Sequence, residues 1–135
     1  MEHKVILKLE RVTKIYEMGE VKVEALKETS LDVYAGEILV ILGPSGSGKS
    51  TLLNIMGGMD LPTSGNVFFE NQDISSGSET VLTHYRRNDA GFVFQFYNLI
   101  TDLTARENIE LAANLVAKPL PIDEVLKERA MYERK

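Results

Sequence analysis

The chain contains no cysteine. Disulfide bridges and thiolate metal sites are therefore excluded. Long apolar runs are missing too. No stretch approaches the roughly 18 consecutive apolar residues that suggest a bilayer span. The opening residues 1–8 lack an apolar stretch long enough for a secretory leader. Basic charge is scarce: 15 Lys and Arg stand against 20 Asp and Glu, a formal net charge of −5. The Arg86-Arg87 pair does not make a basic patch, so nucleic acid is not expected as a partner. His3 and His84 fall in no cluster of Cys, His or carboxylates at metal-ligand spacing. The 135 residues, 44% hydrophobic and 26% charged, suit one ordinary globular domain or part of a larger one. A cytoplasmic location is expected, with any membrane role exerted through a partner.

The informative feature is one motif. Gly43-Pro44-Ser45-Gly46-Ser47-Gly48-Lys49-Ser50 has the form G-x-x-x-x-G-K-S, the phosphate-binding loop of nucleotide triphosphatases. Residues 37–42 ahead of it read as a buried strand, and residues 50–56 behind it as the first turns of a helix. That strand–loop–helix context is what the motif requires. Its glycines let successive backbone N–H groups turn toward phosphate oxygens. The helix N-terminus adds partial positive charge at the same point. Lys49 is then placed to reach the β- and γ-phosphates, and the Ser50 hydroxyl to ligate Mg²⁺.

Around this motif the patterning is mixed. Residues 5–16 read as a strand with uneven alternation, followed by a turn at residues 18–20. Residues 21–26 and 30–34 alternate apolar and polar, as half-exposed strands do. Such short spacings predict an antiparallel β patch, because parallel crossovers need more chain. Residues 57–65 form a loop and 66–70 a strand. Residues 77–88 are mainly helical, with Val81, Leu82 and Tyr85 on one side. Residues 91–94 read as a short buried strand with Gln95 at its end. Thr104 and Glu107 have capping-box spacing for a helix running to about residue 117. Pro119 and Pro121 break it, and residues 123–135 read as a charged helix.

Several separate stretches together resemble the ATP-binding subunit of ABC transporters. They are residues 12–16 (Val-Thr-Lys-Ile-Tyr), 26–33, the phosphate loop continued through residue 57, Pro62-Thr63-Ser64-Gly65, residues 91–95 (Gly-Phe-Val-Phe-Gln) and residues 103–109. The branch resembled is that of macrolide exporters, lipoprotein-release systems and cell-division-associated relatives. The resemblance implies an α/β P-loop core with an antiparallel β patch at its N-terminal side. It divides the chain into a nucleotide-binding core over residues 1–95 and the start of a helical subdomain over residues 96–135. It implies ATP and Mg²⁺ as cofactors. Tyr16 matches the adenine-stacking aromatic. Gly43, Pro44, Ser45, Gly46, Ser47, Gly48, Lys49, Ser50 and Thr51 match the nucleotide cradle. Gln95 matches the glutamine that touches Mg²⁺ and the attacking water, so Gln95 and Lys49 carry the implied catalytic roles, and Ser50 and Gln95 the metal roles. Gln95 with Phe96, Tyr97, Asn98 and Leu99 would meet a transmembrane permease subunit. The complete protein would be a homodimer on the inner face of the cell membrane.

Hydrolysis needs more than this. Phosphoryl transfer requires a carboxylate for Mg²⁺ and a residue that orients water. No run of four apolar residues leads into Asp-Glu. The family's Leu-Ser-Gly-Gly-Gln signature and its switch histidine are also absent, and His84 precedes Gln95 and does not match the latter. In the family these elements follow the region matched here. The chain therefore reads as the N-terminal half or so of an ATP-binding subunit, expected to bind Mg-ATP weakly and to turn it over negligibly. Two alternatives stay open. One is another P-loop enzyme, although the guanine-reading Asn-Lys-x-Asp and the Asp-x-x-Gly of GTPases do not occur. The other is a non-catalytic nucleotide-binding or permease-binding protein.

Overall fold

The structure, a computed structural model, describes residues 3–129. The chain forms two compact units, one ending at Gly91 and the next beginning at Phe92.

The first unit is built on a four-stranded antiparallel sheet of order β2-β1-β3-β4. Strand β1 spans Val5–Met18 and β2 spans Val21–Tyr34. They form a hairpin with Gly19 at φ 64, a left-handed backbone that glycine adopts without steric penalty. The expected antiparallel patch is thus present. The two short strands read at 21–26 and 30–34 are one continuous strand. Irregular register against β1 carries β2 through residues 27–29.

A bulge explains the uneven alternation of β1. Leu7, Leu9 and Val12 are all buried, at 7, 1 and 0% exposure. Their spacing of two and then three residues would put Val12 on the wrong face of a regular strand. Arg11, at φ 46, takes up the extra residue, and both neighbouring ladders shift register there. Its N–H donates to Ser30 Oγ at 3.0 Å. Gly65, on the adjoining strand β3 (Ser64–Phe69), has φ 82, and a side chain there would run into the Arg11 carbonyl.

Strand β3 turns into the short β4 (Gln72–Asp73) through Glu70 and Asn71, at φ 44 and 70. Two positive φ values are the signature of a tight hairpin turn that matches sheet twist. Helix α1 (Lys49–Met56) buries Leu52 and Ile55, one turn apart, in the core cluster with Leu9, Val12, Leu26 and Val67. Helix α2 (Glu79–Asn88) is capped by Ser78, whose side chain accepts from Val81 N–H, and buries Leu82 and Tyr85. Tyr85 packs against Phe69 at a centroid distance of 5.1 Å. Its hydroxyl donates to the Met56 carbonyl at 2.7 Å. Burial, and then the Asp89 carboxylate, push its phenol from 10.0 up to about 12.

Two sequence expectations are not met. Residues 37–42 and 91–94 form no strand. Ile38, Val40 and Leu42 are 93, 68 and 85% exposed, and Val93 is fully exposed. A strand needs a hydrogen-bonded neighbour, and among the described residues nothing pairs with either run.

In the second unit, α3 spans Ala105–Ala113 and α4 spans Ile122–Glu128. The capping box is present. Thr104 Oγ1 accepts from Glu107 N–H at 3.2 Å, and Glu107 Oε2 accepts from Thr104 N–H at 2.8 Å. These bonds from Thr104 hold the Glu107 carboxyl below its usual range. Asn108 reinforces the entry, accepting from Ile100 N–H at 2.8 Å and donating to the Ile100, Leu103 and Thr104 carbonyls. Helix α3 stops at Ala113, earlier than its apolar spacing suggested, and α4 ends at Glu128. The helix read over residues 123–135 extends past the described residues. Arg106 bonds Asp123, linking the two helices, and Leu126 is buried.

Candidate functional site

The cradle begins with backbone geometry. Gly46 and Gly48 have φ 79 and 90. Gly48 also lies against β2: a Cβ there would stand 2.5 Å from the Ala25 carbonyl. Only glycine meets both demands. A Cβ on Gly43 would stand 2.6 Å from Ser47 Oγ, so the loop is tightly folded on itself. The turn is closed by Ser47 N–H donating to the Pro44 carbonyl at 3.2 Å.

Helix α1 starts directly from this loop. Gly48 is its N-cap and contributes no side-chain hydrogen bond. The first intrahelical bond runs from Leu52 N–H to the Gly48 carbonyl at 2.8 Å. The amides of Lys49, Ser50 and Thr51 therefore have no partner within the helix, the usual condition of a first turn. Lys49 bends back over the loop. Its ammonium donates to the Gly43 and Pro44 carbonyls at 2.5 and 2.6 Å and to Ser47 Oγ at 3.3 Å. The ammonium is thus held by neutral oxygens rather than by a carboxylate.

A cavity of about 560 Å³ opens here, lined by Ser45, Gly46, Gly48, Lys49, Ser50 and Thr51 together with Val23, Glu24 and Ala25 of β2. Six of the nine residues expected to form the cradle line it; Gly43, Pro44 and Ser47 do not. The β2 contribution was missed. Its alternating pattern showed a half-exposed strand but not what its exposed face adjoined.

Tyr16 is paired with Val23 across the β1–β2 ladder, so it stands beside the cavity wall. It is 39% exposed. Its hydroxyl donates to Asp60 Oδ2 at 2.6 Å. Lys14, two residues earlier on the same strand face, lies 4.9 Å from the ring centroid. Lys14 donates to Asp60 Oδ1 at 2.9 Å and to the Leu61 carbonyl at 2.7 Å. The Asp60 hydrogen bond, with burial and the Asp60 charge behind it, raises the Tyr16 phenol above its usual value. Burial works against ionisation of Asp60, yet the bonds from Tyr16, Lys14 and Leu61 N–H hold its carboxyl below the usual range. Asp60 and Lys14 were not singled out from sequence. The i, i+2 spacing of Lys14 and Tyr16 was the available signal. Gln95 belongs to the second unit, where it is exposed in a bend. Nearby, the Phe92 and Phe94 rings stack at 5.6 Å.

A family model described as ABC transporter matches residues 26–134. The chain belongs to the ABC transporter ATP-binding family. Among its relatives is an uncharacterized ABC transporter ATP-binding protein of Thermotoga maritima, 52% identical over 108 residues that cover 80% of this chain and 46% of the relative. Another is the macrolide export ATP-binding/permease protein MacB of Escherichia coli K12, 45% identical over 108 residues, 80% of this chain and 17% of that protein. Among solved structures, the ATP-binding cassette MJ0796, in a dimeric post-hydrolysis state bound to ADP and Pi, superposes with a TM-score of 0.80 at 45% identity, covering 93% of this chain and 54% of that one. The ABC chain thus spans about half the length, or less, of the relatives it matches. Its mixed α/β architecture is that of an ABC cassette. No described helix is long and apolar enough to cross a membrane.

Proposed function

We propose that this chain holds Mg-ATP in the loop of residues 43–50 as the nucleotide-holding part of an ABC transporter ATP-binding subunit. The observation that carries the proposal is the cavity at the open first turn of α1, with Lys49 held over it by backbone carbonyls. Amides of the first turn and the Lys49 ammonium neutralise phosphate charge in a site whose backbone is fixed in advance. Ser50, exposed on that first turn, offers a hydroxyl to Mg²⁺, a donor that suits a hard cation keeping several waters. Bound Mg²⁺ would supply charge neutralisation to the phosphates, with Ser50 holding it. Tyr16 offers its ring to the base. ADP and Pi are bound in the similar cassette.

Gln95 is assigned to orienting water and to Mg²⁺. The adjoining surface of Phe96, Tyr97 and Leu99, exposed at 75, 93 and 63%, is assigned to a membrane permease. The ATP-binding/permease make-up of MacB and the dimeric state of MJ0796 support a permease partner and a second cassette. The protein would then work at the inner face of the membrane, driving export or release. The carboxylate, signature and switch histidine that complete hydrolysis are assigned to sequence outside these 135 residues. The same sequence would supply the neighbour that residues 37–42 lack. Turnover by this chain alone should be negligible.

The test is thermal unfolding with and without Mg-ATP. Ligand at about 100 times Kd stabilises the folded state by about 2.7 kcal/mol. That shift should appear in the native chain and vanish in Lys49→Ala. An equal shift in both proteins, or none in either, would overturn the assignment.

A further inference from the structure

Tyr16, Asp60 and Lys14 are bonded to one another, and Thr51 of the cradle adjoins the Tyr16 hydroxyl. Asp60 lies just past α1, where its N–H and that of Met59 donate to the Asn54 carbonyl at 3.2 and 2.8 Å. It is therefore joined to the tail of the helix whose head forms the cradle. Its two carboxylate oxygens are divided between partners on β1. One accepts from the Tyr16 hydroxyl at 2.6 Å, the other from the Lys14 ammonium at 2.9 Å. Lys14 is 14% exposed, well withdrawn from water for a lysine, and lies over the Tyr16 ring.

We infer that Asp60 and Lys14 are positioning residues that fix the Tyr16 ring, by its hydroxyl and by one face, at a set place relative to the phosphate cradle, so that the opposite face receives the nucleotide base. The inference rests on the reading of Tyr16 as the base platform. An aromatic side chain that is 39% exposed at a strand edge otherwise rotates about χ1 and χ2. Stacking then bears the entropy of stopping that motion. The Asp60 bond stops it beforehand, and preorganisation of this kind raises affinity without new ligand contacts. Lys14 acts on the ring itself. A cation on one face draws π density toward it and leaves the other face better matched to an electron-rich purine. Because Asp60 moves with α1, the distance from base platform to phosphate cradle is set through one carboxylate. That span distinguishes a nucleoside triphosphate from a bare polyphosphate.

The experiment compares binding of Mg-ATP with binding of Mg-tripolyphosphate, which has no base, to the 135-residue chain and five variants. Tyr16→Ala removes the platform. Its ATP preference should fall by about 5- to 150-fold, the range of base–aromatic stacking. Tyr16→Phe keeps the ring and removes only the tether. It should lose about five- to tenfold of the preference, less than the full worth of a charge-assisted hydrogen bond because only the ordering of the ring is lost to binding. Asp60→Ala should lose a similar amount, and Lys14→Met somewhat less. Tripolyphosphate affinity should stay constant throughout, a result that general damage to the fold would not give. The Tyr16→Phe/Asp60→Ala double variant should be no worse than Asp60→Ala alone, because both changes break the same bond. If Tyr16→Ala keeps the preference, or the native chain has none, the platform reading fails and the inference falls with it. If Tyr16→Ala loses the preference while Tyr16→Phe and Lys14→Met retain it, the platform stands and the inference alone is overturned. Should Asp60→Ala fail to fold, those last two variants decide.

Discussion

Residues 5–9 and 38–42 are both dominated by Val, Ile and Leu, yet Leu7 and Leu9 are 7 and 1% exposed while Ile38, Val40 and Leu42 are 93, 68 and 85% exposed. The first run has β2 on one side and β3 on the other. The second has no ladder partner among the described residues. Apolar composition marks which residues would profit from burial. Whether they are buried depends on a neighbour that local sequence does not contain. The helices show the same division. Helix α1 buries Leu52 and Ile55, whereas among the described residues of α3 no side chain is buried and local bonds hold its start.

Charge placed in β1, at Val12, and in residues 38–42 should separate the two most widely. Val12 is 0% exposed and Val40 68%. Val12→Asp buries an unpaired carboxylate and should destabilise the first unit by about 4 kcal/mol or more, enough to erase a cooperative urea transition. Val40→Asp should move that transition by no more than about 0.5 kcal/mol. It should also reduce self-association in light scattering, because exposed apolar surface favours aggregation. Equal loss of stability in both variants would mean that residues 38–42 are packed after all.

A second contrast comes from pH. The Tyr85 phenol is raised from 10.0 to about 12 in the folded chain. A raised folded value means that the fold favours the protonated form. The stabilisation is complete below pH 10 and is lost as pH rises through about 12. Tyr85→Phe should lower stability by about 1 kcal/mol near neutrality, through loss of the bond to Met56. It should also remove this part of the alkaline decline. A native chain and Tyr85→Phe that decline in parallel would show that the phenol is not shielded.

The most local effect belongs to α3. Thr104→Ala should cost about 1 kcal/mol of helix stability. The loss should appear as faster amide exchange at residues 105–108 and leave the first unit unchanged. Loss of cooperative unfolding in the first unit would show that α3 is not held locally.

Local rules were the legible ones. The tight loop leading into helix α1, the capping box and the hairpin turn each depend on residues close together in the chain and are found, whereas the strand read ahead of the loop is not. The bulge at Arg11 was visible only as irregular alternation, since its meaning depends on Ser30 and Gly65. Strand β4 escaped notice because two residues carry no period, although Asn71 tolerates the left-handed turn that precedes it. The cavity wall from β2 and the Asp60 tether depend on contacts 44 residues apart in the case of Tyr16 and Asp60. No sequence window spans them.

The two ends of α1 are finished differently. At the tail, the Tyr85 hydroxyl bonds the Met56 carbonyl and Arg86 bonds the Gly58 carbonyl at 3.0 Å. At the head there is only a glycine. The first-turn amides, without intrahelical acceptors, should exchange faster than those of the clamped tail. The eight residues of α1 therefore contain two clocks. If the loop holds the proposed nucleotide, deuterium entering at the head would report its arrival and departure, while deuterium entering at the tail would report the unfolding of the first unit.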